Sequence, residues 1–137
     1  MSGTGTVRGE PARHDSLFQR AGGESGVRDI VTVFVDRMVC DLMIGFFFAG
    51  VDKARLVERE FAFTARFLGH DCAYEGRPLR AAHAAHRIMG GHFARRKQIL
   101  REVLEARQVP KDVAEAWLNH VESLRDQVTA DGPGECA

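Results

Sequence analysis

Between residues 15 and 129 the apolar positions recur at spacings of three and four, and no stretch alternates with period two. That periodicity predicts helices throughout. Asp15 or Ser16 can cap a short helix holding Leu17 and Phe18, which Gly22-Gly23 stops. The stripe Val27, Ile30, Val31, Phe34, Val35, Met38 predicts a helix over about 24–40. Gly45, the triplet Phe46-Phe47-Phe48 and Gly50 mark a turn region. Asp52 is the expected N-cap of a helix over about 53–68 with Leu56, Phe63 and Phe67 on one face, and Gly69 ends it. A loop with Tyr74, Gly76 and Pro78 leads to a short helix carrying Leu79, His83 and His86 on one face. Gly90-Gly91 separates that helix from one over about 92–107, with Phe93, Leu100, Val103 and Leu104 inward. Pro110 starts the last helix, whose stripe runs Val113, Ala116, Trp117, Val121, Leu124, Val128. The fold class is therefore all-α, with four longer helices and two short ones. Residues 1–14 and 130–137 read as flexible tails around one domain of 15–129.

The 137 residues are 45% hydrophobic, enough for one domain with a core of its own. Nineteen basic residues balance nineteen acidic ones. That balance argues against nucleic acid or an acidic membrane surface as partner, since both select a basic excess. No apolar run is long enough to span a bilayer, and residues 1–14 lack the apolar segment of a secretory signal. Cys40, Cys72 and Cys136 follow no motif spacing and read as free thiols in a reducing cytoplasm. Nine Phe stand against one Tyr and one Trp. A wall of Phe fits either plain core or the lining of a flat, apolar cofactor site.

Of six histidines, His14 falls in the tail and His70 in a loop. His83 sits next to Leu79 and between alanines, so little bulk obstructs a planar group. The predicted facing helix offers Phe63 and Phe67. One imidazole for iron, apolar walls and open access opposite are what haem requires. The spacing His83-x-x-His86 could also hold zinc, but needs a third ligand such as His92, and no Cys or carboxylate completes a tetrahedral set.

The motifs Leu17-Phe18-Gln19-Arg20-Ala21-Gly22-Gly23-Glu24, Phe47-Phe48-Ala49-Gly50-Val51-Asp52, Tyr74 through His83, and Val109-Pro110 resemble, at matching separations, the truncated globins of group I. The likeness spans roughly residues 16 to 129. It implies a globin-like two-over-two helical sandwich around haem b, with His83 as the protein ligand to iron. It implies Phe48 and Phe63 against the porphyrin, Leu56 over the iron, and Phe67, Leu68, Leu79 and Ile88 as further wall residues. Family members bind oxygen, nitric oxide or carbon monoxide, and some consume nitric oxide.

Three departures concern the distal ligand pocket. Where the family usually has a hydrogen-bonding Tyr, this chain has Val35, which offers no donor. Where a Gln often assists, it has Glu60. Where an apolar residue normally faces the pocket, it has Arg96, within Arg95-Arg96-Lys97. If Glu60 and Arg96 share a cavity they would pair, leaving Arg96 as the strong donor and favouring anionic ligands such as nitrite, cyanide or peroxide. Otherwise Arg96 reaches the rim and Glu60 is solvated. The glycine usual after the proximal histidine is missing, so His86 stays a rival ligand. Three functions follow: a ligand-binding haem globin, a haem redox enzyme (nitric-oxide dioxygenase, nitrite reductase or peroxidase-like) served by an electron-donating reductase, or a haem-free helical sensor module.

Overall fold

The structure, a computed structural model, describes residues 16–69 and 88–129. The short helix expected around His83, with Leu79 and His86, lies outside them, as do both predicted tails. The described residues form helices α1 (Leu17–Arg20), α2 (Gly23–Val39), α3 (Lys53–Phe67), α4 (Gly90–Ala106), α5 (Lys111–Ser123) and α6 (Arg125–Val128), with a 3-10 turn at Gly45–Phe48. No strand occurs among them.

Helix α1 begins where the Ser16 hydroxyl accepts a hydrogen bond from the Gln19 amide at 3.2 Å. The Phe18 amide donates to the Leu68 carbonyl at 2.8 Å, fastening α1 to the end of α3. Gly22 turns the chain into α2 at φ 119°, and a Cβ there would stand 2.9 Å from Gly26 Cα. Only glycine fits that approach. Helix α2 buries the six residues of its predicted stripe. It packs on α3 and on α4, and α4 packs on α5. The pair α2–α3 thus crosses the pair α4–α5, and the core lies between them: Val27, Val31, Val35, Ile99, Leu104 and Val113 are sealed.

Two predicted boundaries shift. Helix α4 starts at Gly90 rather than near residue 92, because the Met89 amide finds His92 Nδ1 at 3.0 Å. The last predicted helix is two, breaking at Leu124. The Phe triplet, read as turn, is a 3-10 segment entered through Gly45, whose added Cβ would meet the Val39 carbonyl at 2.7 Å.

The corner before that segment is locked by Asp41, whose side chain is 8% exposed. One carboxylate oxygen accepts from the amides of Met43 (2.9 Å) and Ile44 (3.1 Å). The other accepts from Arg95 Nε (3.0 Å) and Nη2 (2.8 Å) on α4. Arg95 holds the Asp41 carboxyl below its usual pKa, helped by the two amides and opposed by burial.

Candidate functional site

Helix α3 is capped as predicted: the Asp52 carboxylate accepts from the amides of Ala54 and Arg55. Its apolar face, however, is not covered by protein among the described residues. Leu56, Phe63 and Phe67 are only half-buried, as are Phe47 and Phe48 on the 3-10 turn. They surround a cavity of about 810 Å³, closed on other sides by Phe34 and Met38 of α2, Phe93, Arg96 and Leu100 of α4, and Trp117, His120 and Val121 of α5. That volume suits a sizeable, mostly apolar ligand.

Phe48, Leu56, Phe63, Phe67 and Ile88 line this cavity, as do Glu60 and Arg96. His83 and Leu79 lie outside the described residues. Leu68 and Val35 do not reach the cavity: both are sealed in the core, at 1% and 0% exposure. Leu68 closes the junction of α3 with α1, and Val35 faces the α2–α4 seam of the core.

The two charges set on apolar stripes meet. Arg96 Nη2 donates to Glu60 Oε1 at 3.1 Å, with both side chains about three-quarters buried. The guanidinium also lies over the Phe34 ring, 4.9 Å from its centroid. A carboxylate and an aromatic face therefore fix its position. One of its five N–H donors is used for Glu60; no other hydrogen bond of Arg96 occurs among the described residues.

Sequence patterning did not single out four further polar residues of this wall. Arg55 and Arg59, one turn apart at the cavity mouth, are exposed and make no ion pair among the described residues. His120 stacks on Phe67, with centroids 3.9 Å apart and planes 6° from parallel. Burial pushes its pKa below the usual histidine value. Thr64 is buried at 8% exposure. His120 was legible in principle, since it follows Trp117 by three and Ala116 by four on the α5 stripe. Thr64 follows Glu60 by four in the same way.

His92 presents its ring edge-on to Phe46 and Phe47, at 5.9 and 5.0 Å. Its Nδ1 accepts from the Met89 amide at 3.0 Å. No group of three His, Cys, Asp or Glu able to hold a metal occurs among the described residues, and none of their helices is long and apolar enough to cross a membrane.

The chemistry of this wall fits a flat, apolar group bearing acidic substituents at one edge. Aromatic faces line the interior, and free guanidinium groups stand at the mouth.

The family model of the bacterial-like globins matches residues 16–130. The group 1 truncated hemoglobin of Synechocystis sp. is 32% identical over 102 residues, covering 72% of this chain and 82% of that protein. That of Mycolicibacterium paratuberculosis is 27% identical over 128 residues, covering 93% and 92%. Among solved structures, the Fe(III) truncated hemoglobin of Tetrahymena pyriformis superposes with a TM-score of 0.79 at 21% identity, over 84% of this chain and 98% of that one. The 2/2 hemoglobin of Synechococcus sp., in the cyanomet state with covalently attached heme, gives 0.76 at 24% identity, over 83% and 98%. Those two likenesses establish the architecture, a two-over-two helical sandwich.

Proposed function

The chain belongs to the bacterial-like globin family, as a group I truncated haemoglobin, and on that premise we propose that its cavity holds haem b, with His83 as the iron ligand, and receives small gaseous or anionic molecules. The observation that carries this reading is the apolar face left open among the described residues: Leu56, Phe63, Phe67 and Phe48 are half-buried there around a cavity of about 810 Å³. Haem b would supply an iron with a coordination position open to a diatomic ligand.

The chain's own residues do the rest. Phe48, Phe63 and Phe67 exclude water from the porphyrin faces, and Ile88 and Leu56 extend that wall. Arg55 and Arg59 suit the two carboxylates of haem b, leaving those charges at the solvent edge. The family likeness assigns Leu79 to the same wall.

Arg96 favours anions such as nitrite, cyanide or peroxide, because it brings spare charged donors into a low-dielectric pocket. Glu60 only accepts hydrogen bonds when ionised, so it anchors the guanidinium rather than greeting the ligand.

A second reading, a haem redox enzyme (nitric-oxide dioxygenase, nitrite reductase or peroxidase-like) supplied by a reductase, draws on one specific feature. By the family likeness Val35 stands where a hydrogen-bonding Tyr is usual, and valine offers no donor to neutral oxygen.

An absorption spectrum of protein produced with ample haem, beside a His83→Ala variant, tests the main reading. A Soret band in wild type that shifts or vanishes in the variant is expected. A colourless wild type, or a spectrum indifferent to the substitution, would end it. Rates of nitric-oxide consumption then separate ligand binding from catalysis.

A further inference from the structure

We propose that Thr64 and Arg96 form a two-donor subsite in the cavity that selects small anions with more than one acceptor oxygen, nitrite being the simplest, over one-acceptor anions such as cyanide. This deepens the haem reading above and rests on it only for the optical part of the test.

Three threonines fall among the described residues. Thr32 folds its hydroxyl back onto the Arg28 carbonyl at 2.8 Å, and Thr129 does the same onto Arg125 at 3.0 Å. That is the usual way for a helical hydroxyl to satisfy itself. Thr64, in the last turn of α3, makes no such bond and no other side-chain hydrogen bond among the described residues. Yet it is 8% exposed. Since no sealed side-chain polar atom among the described residues lacks a partner, the Thr64 oxygen is not shut in the core. It opens onto the cavity whose wall it forms. A hydroxyl there that its own helix does not satisfy is left to donate to whatever occupies the cavity.

Its position relates it to Arg96. Thr64 follows Glu60 by four residues, so both lie on one face of α3, about 6 Å apart along the axis. Glu60 holds the Arg96 guanidinium at 3.1 Å, and Phe34 underlies it. The remaining N–H groups and the Thr64 hydroxyl thus line one cavity, each within about a helical turn of Glu60. A bent anion with two acceptor oxygens can take a hydrogen bond of about 2.8 Å from each side of such a gap. An anion with one terminal acceptor can use only one of them. Glu60 repels anions and so restricts them to the side of the guanidinium it does not occupy.

Thr64→Val keeps the shape and removes the hydroxyl. In ferric protein titrated by absorbance, it is expected to weaken nitrite binding about tenfold and leave cyanide within about twofold. Arg96→Leu is expected to weaken both. The melting temperature of Thr64→Val without anion should equal or exceed that of wild type, which separates lost recognition from a damaged fold. An unchanged nitrite Kd in Thr64→Val overturns the subsite, as does an equal loss for nitrite and cyanide.

The same nitrite titration on haem-free protein, followed by amide NMR, needs no iron. Shifts at residues 60–64 and 96 are expected in wild type and not in Thr64→Val. Protein with no haem band but with those shifts fails the haem reading and keeps the subsite. Protein with the band and an indifferent Thr64→Val fails the subsite and keeps the haem reading. Shifts common to both proteins, or absent from both, also overturn the subsite.

Discussion

The two sides of helices α2 and α4 obey different rules. Toward the seam with α5, Val27, Val35, Ile99, Leu104 and Val113 are all 0% exposed and wholly apolar. Toward the cavity, α3 offers Leu56, Phe63 and Phe67 half-covered, and the stripes are broken by Glu60, Thr64, Arg96 and His120. A surface that protein alone must seal excludes polar groups, because each would lose its water without replacement. A surface kept for a ligand can retain them. The contrast separates packing positions from binding positions within the same few helices.

The largest expected effect lies on the sealed side. Leu104→Ala removes buried methyl groups between α4 and its neighbours and should cost about 3 kcal/mol of stability, read as a lower urea midpoint at unchanged slope. Anion binding by the folded protein should not change. A variant that loses stability and anion affinity together would show that the two sides are one unit.

Next comes the corner that joins them. Asp41→Ala leaves the Met43 and Ile44 amides and the Arg95 guanidinium without their acceptor. Because the carboxylate is nearly buried and Arg95 is not, about 2 kcal/mol is expected. The carboxyl is held below its usual pKa by Arg95. Its contribution is therefore complete above the unfolded value and is lost as pH falls through the lower folded one. Thermal melts of wild type and variant should converge under acid, and a gap independent of pH would count against the ion pair.

On the cavity side, Glu60→Leu is expected to cost about 1 kcal/mol, since it leaves the three-quarters-buried Arg96 guanidinium without its carboxylate while the apolar replacement offsets part of that loss. Its effect belongs to binding: the Arg96 charge loses its neutralising carboxylate and the anion loses a repelling one, so ferric anion affinity should rise. A stability loss as large as that of Leu104→Ala would place Glu60 with the core instead.

The sealed side was legible almost in full, because periodicity reports burial directly. All six residues of the α2 stripe are buried. The caps at Ser16 and Asp52 were legible from side-chain chemistry. The cavity was legible through Phe48, Leu56, Phe63, Phe67 and Ile88, which the family likeness assigned to its wall, and through its violations: Glu60 and Arg96 sat on apolar stripes, and they pair. Val35 and Leu68, assigned to the site by family likeness, are 0% and 1% exposed and are not among the residues that line the cavity. Thr64 escaped notice because threonine tolerates either environment, so its type signals nothing. Only the missing carbonyl bond distinguishes it from Thr32. Arg55 and Arg59 looked like ordinary surface charge, and only the cavity mouth beside them changes that.

The smallest expected effect sharpens the comparison from outside both regions. Glu122 on α5 accepts from Lys97 Nζ at 3.0 Å and Arg125 Nε at 2.8 Å, tying α4 to α6 beyond the cavity. Arg125 first, then Lys97, lower its pKa from 4.5 to about 2. The side chain is 42% exposed, so solvent screens much of that interaction and Glu122→Gln should cost under about 1 kcal/mol at pH 7. The folded value lies below the unfolded one, so this stabilisation is present above pH 4.5 and fades as pH falls toward 2. The difference in urea midpoint between wild type and Glu122→Gln should shrink across that window while other carboxylates titrate equally in both proteins. It should also shrink in high salt, where the nearly buried Asp41 pair should hold. Equal salt sensitivity at the two positions would mean that the corner at Asp41 is wetter than its 8% exposure implies.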